Sequence, residues 1–292
     1  PEKKENTYTQ EVTIGASSGV VKYKIEESTP SDAASIDESS GKVTITKPGK
    51  IKVGADLTIG EIGNPGKTFS ASYILTVNKA NQTGFAFDKS TPTTVTYSPD
   101  NNKYEIKTTG GKGDGKVTFS TDNAEVATID SDGKLTTKKA GTVTVKAVKA
   151  GNEYYNDSEE ISYTLTIKMA DQTNFAFEKP NPEAITYDPK NNTFSNKASS
   201  DQGADNVTYT ITSGKDVASI DSATGILTIL KAGDVTVKAT RAADDKYNEV
   251  TAEYTLTINK ANQTDFAFEE QNPGTKTYAP GLTFENAATG GQ

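Results

Sequence analysis

The sequence predicts an all-β chain of tandem sandwich domains, and three observations predict it. A stretch recurs three times: YILTVNKANQTGFAFD (residues 73–88), YTLTIKMADQTNFAFE (163–178) and YTLTINKANQTDFAFE (254–269). Its period is about 90 residues, longer than the roughly 20–50 of solenoid repeats, so each repeat is a whole domain. Apolar residues alternate with Thr or Lys along most segments, and no helical period is present.

In this register residues 1–78 are a repeat lacking its first strand or strands. Residues 79–168 and 169–259 are complete repeats, and 260–292 supplies the opening strands of a further one. A chain that starts and stops mid-repeat reads as an excerpt of a longer array. The hinge, Lys-Ala-Asn-Gln-Thr or Met-Ala-Asp-Gln-Thr, holds neither Gly nor Pro before its Thr. The last strand of one domain is therefore expected to run almost directly into the first strand of the next, giving a stiff, elongated array.

The elements of a complete repeat follow in order. Phe85-Ala86-Phe87 opens, then Thr94–Tyr97, a turn at Ser98–Asn102, and Tyr104-Glu105-Ile106. After the Gly-rich stretch 110–115 comes Val117-Thr118-Phe119, matched by Val207-Thr208-Tyr209 and Val21-Lys22-Tyr23. Next are Glu125–Ala147 and its counterparts Asp216–Ala239 and Asp32–Ala55. In these, Val143 and Val145, Val235 and Val237, and Ile51 and Val53 take inward positions between outward Thr or Lys. Tyr163, Leu165 and Ile167 close the repeat. Some seven short strands, separated by turns at about 8–12 residues, indicate an immunoglobulin-like sandwich.

The run VATIDSDGKLTTKKAGTVTVKA (126–147) resembles the signature of bacterial Ig-like domains of group 2, in which Val-Ala-x-Ile-Asp leads to a Gly hairpin, a Lys-Ala-Gly turn and an alternating strand. The segment YNEVTAEYTLTINKANQT (247–264) is similar to repeat junctions of large surface proteins of Gram-positive bacteria. Pro48 replaces Ala in the first Lys-Ala-Gly turn and Met169 replaces the junction Lys. The resemblance implies an extracellular location, at the bacterial surface or cell wall. It implies adhesin-type company and no single ligand, because such domains serve stalks, adhesins, surface enzymes and phage structures alike.

Composition narrows the function. The chain has no His and no Cys, which removes the commonest general base, the thiol nucleophile and most transition-metal ligands. Its net charge of −8 argues against a nucleic-acid partner, which wants a basic face. No apolar run approaches transmembrane length, so no membrane insertion is expected in this segment. Adjacent acids such as Glu159–Glu160 would point to opposite faces of a strand, and the Gly-rich stretch precedes a strand rather than a helix. Neither catalysis nor a phosphate loop is indicated, and the expectation is that the chain is not an enzyme.

Asp130-Ser131-Asp132-Gly133 invites a calcium reading, with Asp130 and Asp132 as oxygen ligands. The second Asp does not recur, whereas an Asp that caps a turn and a Gly that tolerates positive φ do, so a hairpin is the favoured reading. No other cofactor is indicated. Lys79 and Lys260 stand where a Lys–Asn isopeptide link would need them, but Met169 fills that place in the middle copy.

Tyr154, Tyr155 and Tyr247 lie in a loop before the last strand and form a candidate surface for a glycan or a host protein. Against that, residues 79–168 carry net charge 0 and residues 169–259 carry −5, so the surface chemistry does not repeat while fold and junction do. Spacing is the leading expectation, with neighbouring repeats of the same chain as the first partners. Phe266 and Phe268 are candidate donors of a strand to residues 1–78 of another copy, a head-to-tail contact that would propagate into a fibre.

Overall fold

The computed structural model describes residues 7–10, 19–60, 66–202 and 205–291. Every regular element among them is a strand. The chain divides into two compact units, Pro1–Lys168 and Met169–Gln292. The first holds the first two repeats, the second holds the third repeat and the C-terminal segment.

In the second repeat Val117–Thr121, Gly141–Lys149 and Ile161–Lys168 form an antiparallel sheet, and Thr94–Thr96 joins its edge parallel to Ile161–Lys168. Facing it, Lys103–Glu105, Lys134–Thr137 and Ala127–Ile129 form a second sheet, with Ala86–Phe87 paired to Thr108–Thr109. The third repeat has the same order. Val207–Ser213, Gly233–Arg241, Val250–Asn259 and the parallel Ile185–Thr186 make one sheet; Thr193–Phe194, Leu227–Ile229 and Ala218–Ile220 make the other, beside Ala176–Phe177 with Ala198–Ser199. This is the two-sheet, crossover arrangement of an immunoglobulin-like sandwich.

Alternation does what it predicts. Val143, Val145, Val235 and Val237 are fully buried, while the threonines between them face outward. Each sandwich has its own core: around Val43, Ile51 and Val53 in the first repeat, Leu135, Val143 and Leu165 in the second, Leu227, Val235 and Leu256 in the third. Two glycines are fixed by geometry. Gly225 has φ 72°, and a Cβ there would meet the Tyr209 ring at 2.9 Å; Gly233 has φ 146°, and a Cβ would meet Val217 at 2.8 Å. The hairpin and the Lys-Ala-Gly turn therefore need glycine for both conformation and space.

The first repeat departs in one respect. Val20–Thr29, Gly49–Ile59 and Lys67–Val77 form a sheet of three strands, opposite Thr7–Tyr8, Val43–Ile45 and Ala34–Ile36. Among the described residues no strand lies along the outer edge of Lys67–Val77, where the other repeats carry their parallel strand. Ala267–Phe268 in the C-terminal segment pairs with Ala288–Thr289 alone.

The near-continuity of last and first strands differs from expectation. Lys67–Val77 ends well before Ala86–Phe87 begins, and the intervening hinge is spent on a different pairing.

Candidate functional site

The hinge is held by a loop of the repeat that follows it. In the second repeat Ala80 forms a parallel bridge with Tyr155: its N–H donates to Tyr154 O at 2.9 Å, and Asn156 N–H donates to Ala80 O at 2.9 Å. The loop is shaped by Asn152, whose Oδ1 accepts from the N–H groups of Tyr154 (2.9 Å) and Tyr155 (3.0 Å). A short polar side chain that accepts from the backbone two and three residues on is the local signal for such a turn.

Gln82 then reaches across. Its amide donates to Lys149 O (3.2 Å), Ala150 O (3.1 Å) and Asn156 O (2.9 Å), and its Oε1 accepts from Lys112 N–H at 3.1 Å. The Asn156 amide donates to Asn81 Oδ1 at 2.8 Å, and Lys79 Nζ donates to Asn152 O at 2.6 Å.

The same clamp stands in the third repeat with altered chemistry. Ala170 N–H donates to Lys246 O and Asn248 N–H to Ala170 O, both at 2.8 Å. Asp244 takes the place of Asn152, accepting from Lys246 and Tyr247 N–H at 2.7 Å each. Asn248 donates to Asp171 Oδ1 at 2.8 Å, and Gln172 donates to Asn248 O at 2.7 Å. Here Gln172 and Arg241, the sole arginine of the sequence, are both buried, and the guanidinium donates to Gln172 Oε1 and, through Nε, to Asp205 O at 3.1 Å. Lys149 occupies the equivalent place in the second repeat, where the Gln82 amide meets backbone carbonyls and the Lys112 N–H.

Tyr155 and Tyr247 thus serve the clamp through their backbone, with half-buried rings, whereas Tyr154 is 42% exposed. Within the first unit that loop also meets the first repeat: Lys47 Nζ bridges Asp32 (2.6 Å) and Glu153 (2.8 Å). The Asp32 hydrogen bond, followed by that to Glu153, holds the Lys47 ammonium above its ordinary range. A cleft of about 570 Å³ opens there, lined by Tyr8, Lys47, Pro48, Leu75, Val77 and Tyr154.

Asp130 and Asp132 lie in a hairpin turn. Asp130 Oδ1 accepts from Asp132 and Lys134 N–H at 2.9 Å each, and the Lys134 bond leads in holding the carboxyl below its usual range. Asp37 and Asp221 do the same at the equivalent turns, through Ser39 and Ser40 and through Ala223 and Thr224. No cluster of three metal-ligating acids is present among the described residues. Phe266 and Phe268 are 72% and 60% exposed in the C-terminal segment.

Reading loops for surface chemistry missed the clamp. Its signal was present as an Asn or Asp followed three and four residues later by Tyr-Asn (Asn152 to Asn156, Asp244 to Asn248), recurring in step with the hinge.

The family model described as bacterial Ig-like domain (group 2) matches residues 85–154 and 186–252. The chain carries two adjacent bacterial Ig-like domains of group 2. The hinge halves of both clamps, Ala80 and Ala170, lie outside the matched segments of these Ig-like domains.

No curated protein matches the sequence. Solved structures similar to the chain include mouse Cadherin-23 EC22-24 (17% identity, TM-score 0.32, covering 83% of this chain and 87% of that one). Drosophila N-cadherin EC1-3 is another (15% identity, TM-score 0.35, 88% and 95% covered). At such scores the likeness carries no inference about ligands or partners.

Proposed function

We propose that the chain is a non-catalytic spacer of an extracellular bacterial surface protein, whose Ig-like domains project a functional tip from the cell. The observation that carries this reading is the clamp. The bridge from hinge alanine to loop, the Asn-amide contact and the Gln reach recur in both complete repeats, while surface charge does not. A repeated ligand site would require the reverse. No helix of the described residues is long and apolar enough to cross a membrane.

Small-angle scattering tests the spacer reading. A long, thin particle is expected, and a compact or freely jointed one overturns it.

A second reading, direct binding of a glycan or host protein, is favoured by the cleft between Tyr8 and Tyr154. An aromatic pair beside a cation and amides suits a sugar face. A glycan array with the intact chain decides: saturable binding lost in Tyr154→Ala supports this reading, and no binding at millimolar sugar removes it.

A further inference from the structure

We propose that Lys47, with Asp32 and Glu153, forms an ionic latch that fixes how the first repeat sits on the second and that loosens as salt is added.

Half of the latch belongs to the sandwich itself. Lys47 stands two residues before Gly49 of its turn, as Lys231 stands before Gly233, and Asp32 corresponds to Asp216. Both pairs form, Lys47 Nζ to Asp32 at 2.6 Å and Lys231 Nζ to Asp216 at 2.7 Å. The first repeat's lysine adds a second acid, drawn from the repeat that follows: Glu153 lies 2.8 Å from the same ammonium. The Lys47 side chain is 24% exposed, against 56% for Lys231. Within the first unit, among the ion pairs of the described residues, Lys47–Glu153 is the one that joins two repeats.

Surface ion pairs are often worth nothing, because two long side chains must be ordered to make one contact. That cost is reduced on both sides here. Lys47 is already oriented by Asp32, and its backbone N–H and that of Thr46 donate to the carbonyl of the buried Ala33, at 3.1 and 2.8 Å. Pro48, where the other two turns have Ala, fixes its own φ. Glu153 is carried by the clamp loop between two anchored neighbours. Asn152 N–H donates to Tyr155 O at 3.0 Å, its side-chain amide donates to Asp114 Oδ1 at 2.9 Å, and Tyr154 O accepts from Ala80 N–H at 2.9 Å. Both ends of the bridge are thus presented by backbone that is already set.

The covalent link between the two repeats is short. Asn78 and Lys79 alone separate the end of Lys67–Val77 from the Ala80 bridge. Rotation about those two residues moves the Lys47 turn against the clamp loop, so the ion pair selects one pose among those the link permits. Charges this close to solvent are screened by salt. The latch concerns the pose of two neighbouring repeats and does not depend on what the chain projects or binds.

The absence of Cys from the chain makes the test direct. Nitroxide labels on Ser35→Cys and Ser120→Cys, exposed strand positions in the first and second repeats, report one distance by pulsed electron resonance on the full chain. A narrow distance distribution is expected at about 0.01 M salt, where the Debye length is about 30 Å. At about 1 M salt, where that length is about 3 Å, the share outside the main peak is expected to rise about three- to fivefold. Glu153→Gln is expected to give the broad distribution at both salt concentrations, with circular dichroism and thermal unfolding unchanged. Lys231→Gln, in the counterpart pair of the third repeat, is expected to leave the distribution as in the wild type. A wild-type distribution that is broad at low salt or indifferent to salt overturns the latch, and so does a salt response that survives Glu153→Gln.

Discussion

In the third repeat Leu256 and Ile258 are 0% and 2% exposed; in the first, Leu75 and Val77 hold the same places in the same pattern and are only half-buried. Both repeats have the same three antiparallel strands behind these residues. They differ in Ala176–Phe177 and Ile185–Thr186, which close over the third repeat's core and have no counterpart in the first among the described residues. Alternation decides which face a side chain takes. How deeply it is buried depends on what a distant segment lays over it.

The sharpest way to break this comparison is to shorten the same side chain in both places. Leu256→Ala is expected to destabilise the third repeat by about 3 kcal/mol, since it opens a cavity in a closed core. Leu75→Ala is expected to cost about 1 kcal/mol, because solvent already reaches the site. Hydrogen exchange read repeat by repeat on the intact chain measures both, and equal losses would refute the burial difference.

The two clamps offer the next contrast. Arg241→Ala leaves the buried Gln172 amide oxygen and two backbone carbonyls short of a donor, for an expected loss of about 2 kcal/mol. Gln82→Ala in the second repeat frees groups that lie mostly within reach of water, for about 1 kcal/mol or less. The same exchange experiment is expected to show the third repeat's hinge opening further.

Alkaline pH sharpens the comparison again. Burial pushes the phenols of Tyr163 and Tyr254 up to about 12, and raises Tyr73 as well. An acid whose folded pKa is raised contributes stability that is complete below its unfolded value near 10 and is lost as pH climbs from there toward 12. Denaturant midpoints measured from pH 9 to 11.5 are expected to fall, and Tyr254→Phe is expected to flatten the third repeat's share of that fall.

At neutral pH the same substitution has the smallest effect. The hydroxyls of Tyr73, Tyr163 and Tyr254 are buried without a hydrogen-bond partner among the described residues. Removing one therefore costs no bond, and Tyr254→Phe is expected to be neutral or stabilising by up to about 1 kcal/mol. A clear destabilisation would reveal a partner that the geometry does not provide.

Much of this was legible in the residues. The spacing of Val143 and Val145, and of Val235 and Val237, marked core strands because a strand alternates its faces with no help from elsewhere. The Asp-to-Gly hairpins at Asp37, Asp130 and Asp221 were legible for the same reason: the capping bonds are local. The clamp was not, since Asn81 and Asn156 meet only after a whole sandwich has folded between them. Tyr155 and Tyr247 were read for their rings, and the part their backbone takes in the clamp is one that no side-chain type announces. The hinge was recognised as a junction, yet its lack of Gly and Pro suggested strand continuity where the structure has a pinned connector.

The parallel edge pairs bear on mechanical load. In the second repeat Thr94–Thr96 enters alongside the departing Ile161–Lys168, with Thr166 N–H to Thr93 O at 2.9 Å and Tyr97 N–H to Lys168 O at 2.8 Å. Because the two strands run the same way, pulling the repeat's ends apart slides one along the other, so these bonds stretch together instead of opening one by one. The third repeat repeats the arrangement through Ile185–Ile258 and Tyr187 N–H to Asn259 O at 2.9 Å. Tension on such a chain meets its resistance in a few parallel bonds at the edge of each complete repeat, ahead of the core they guard.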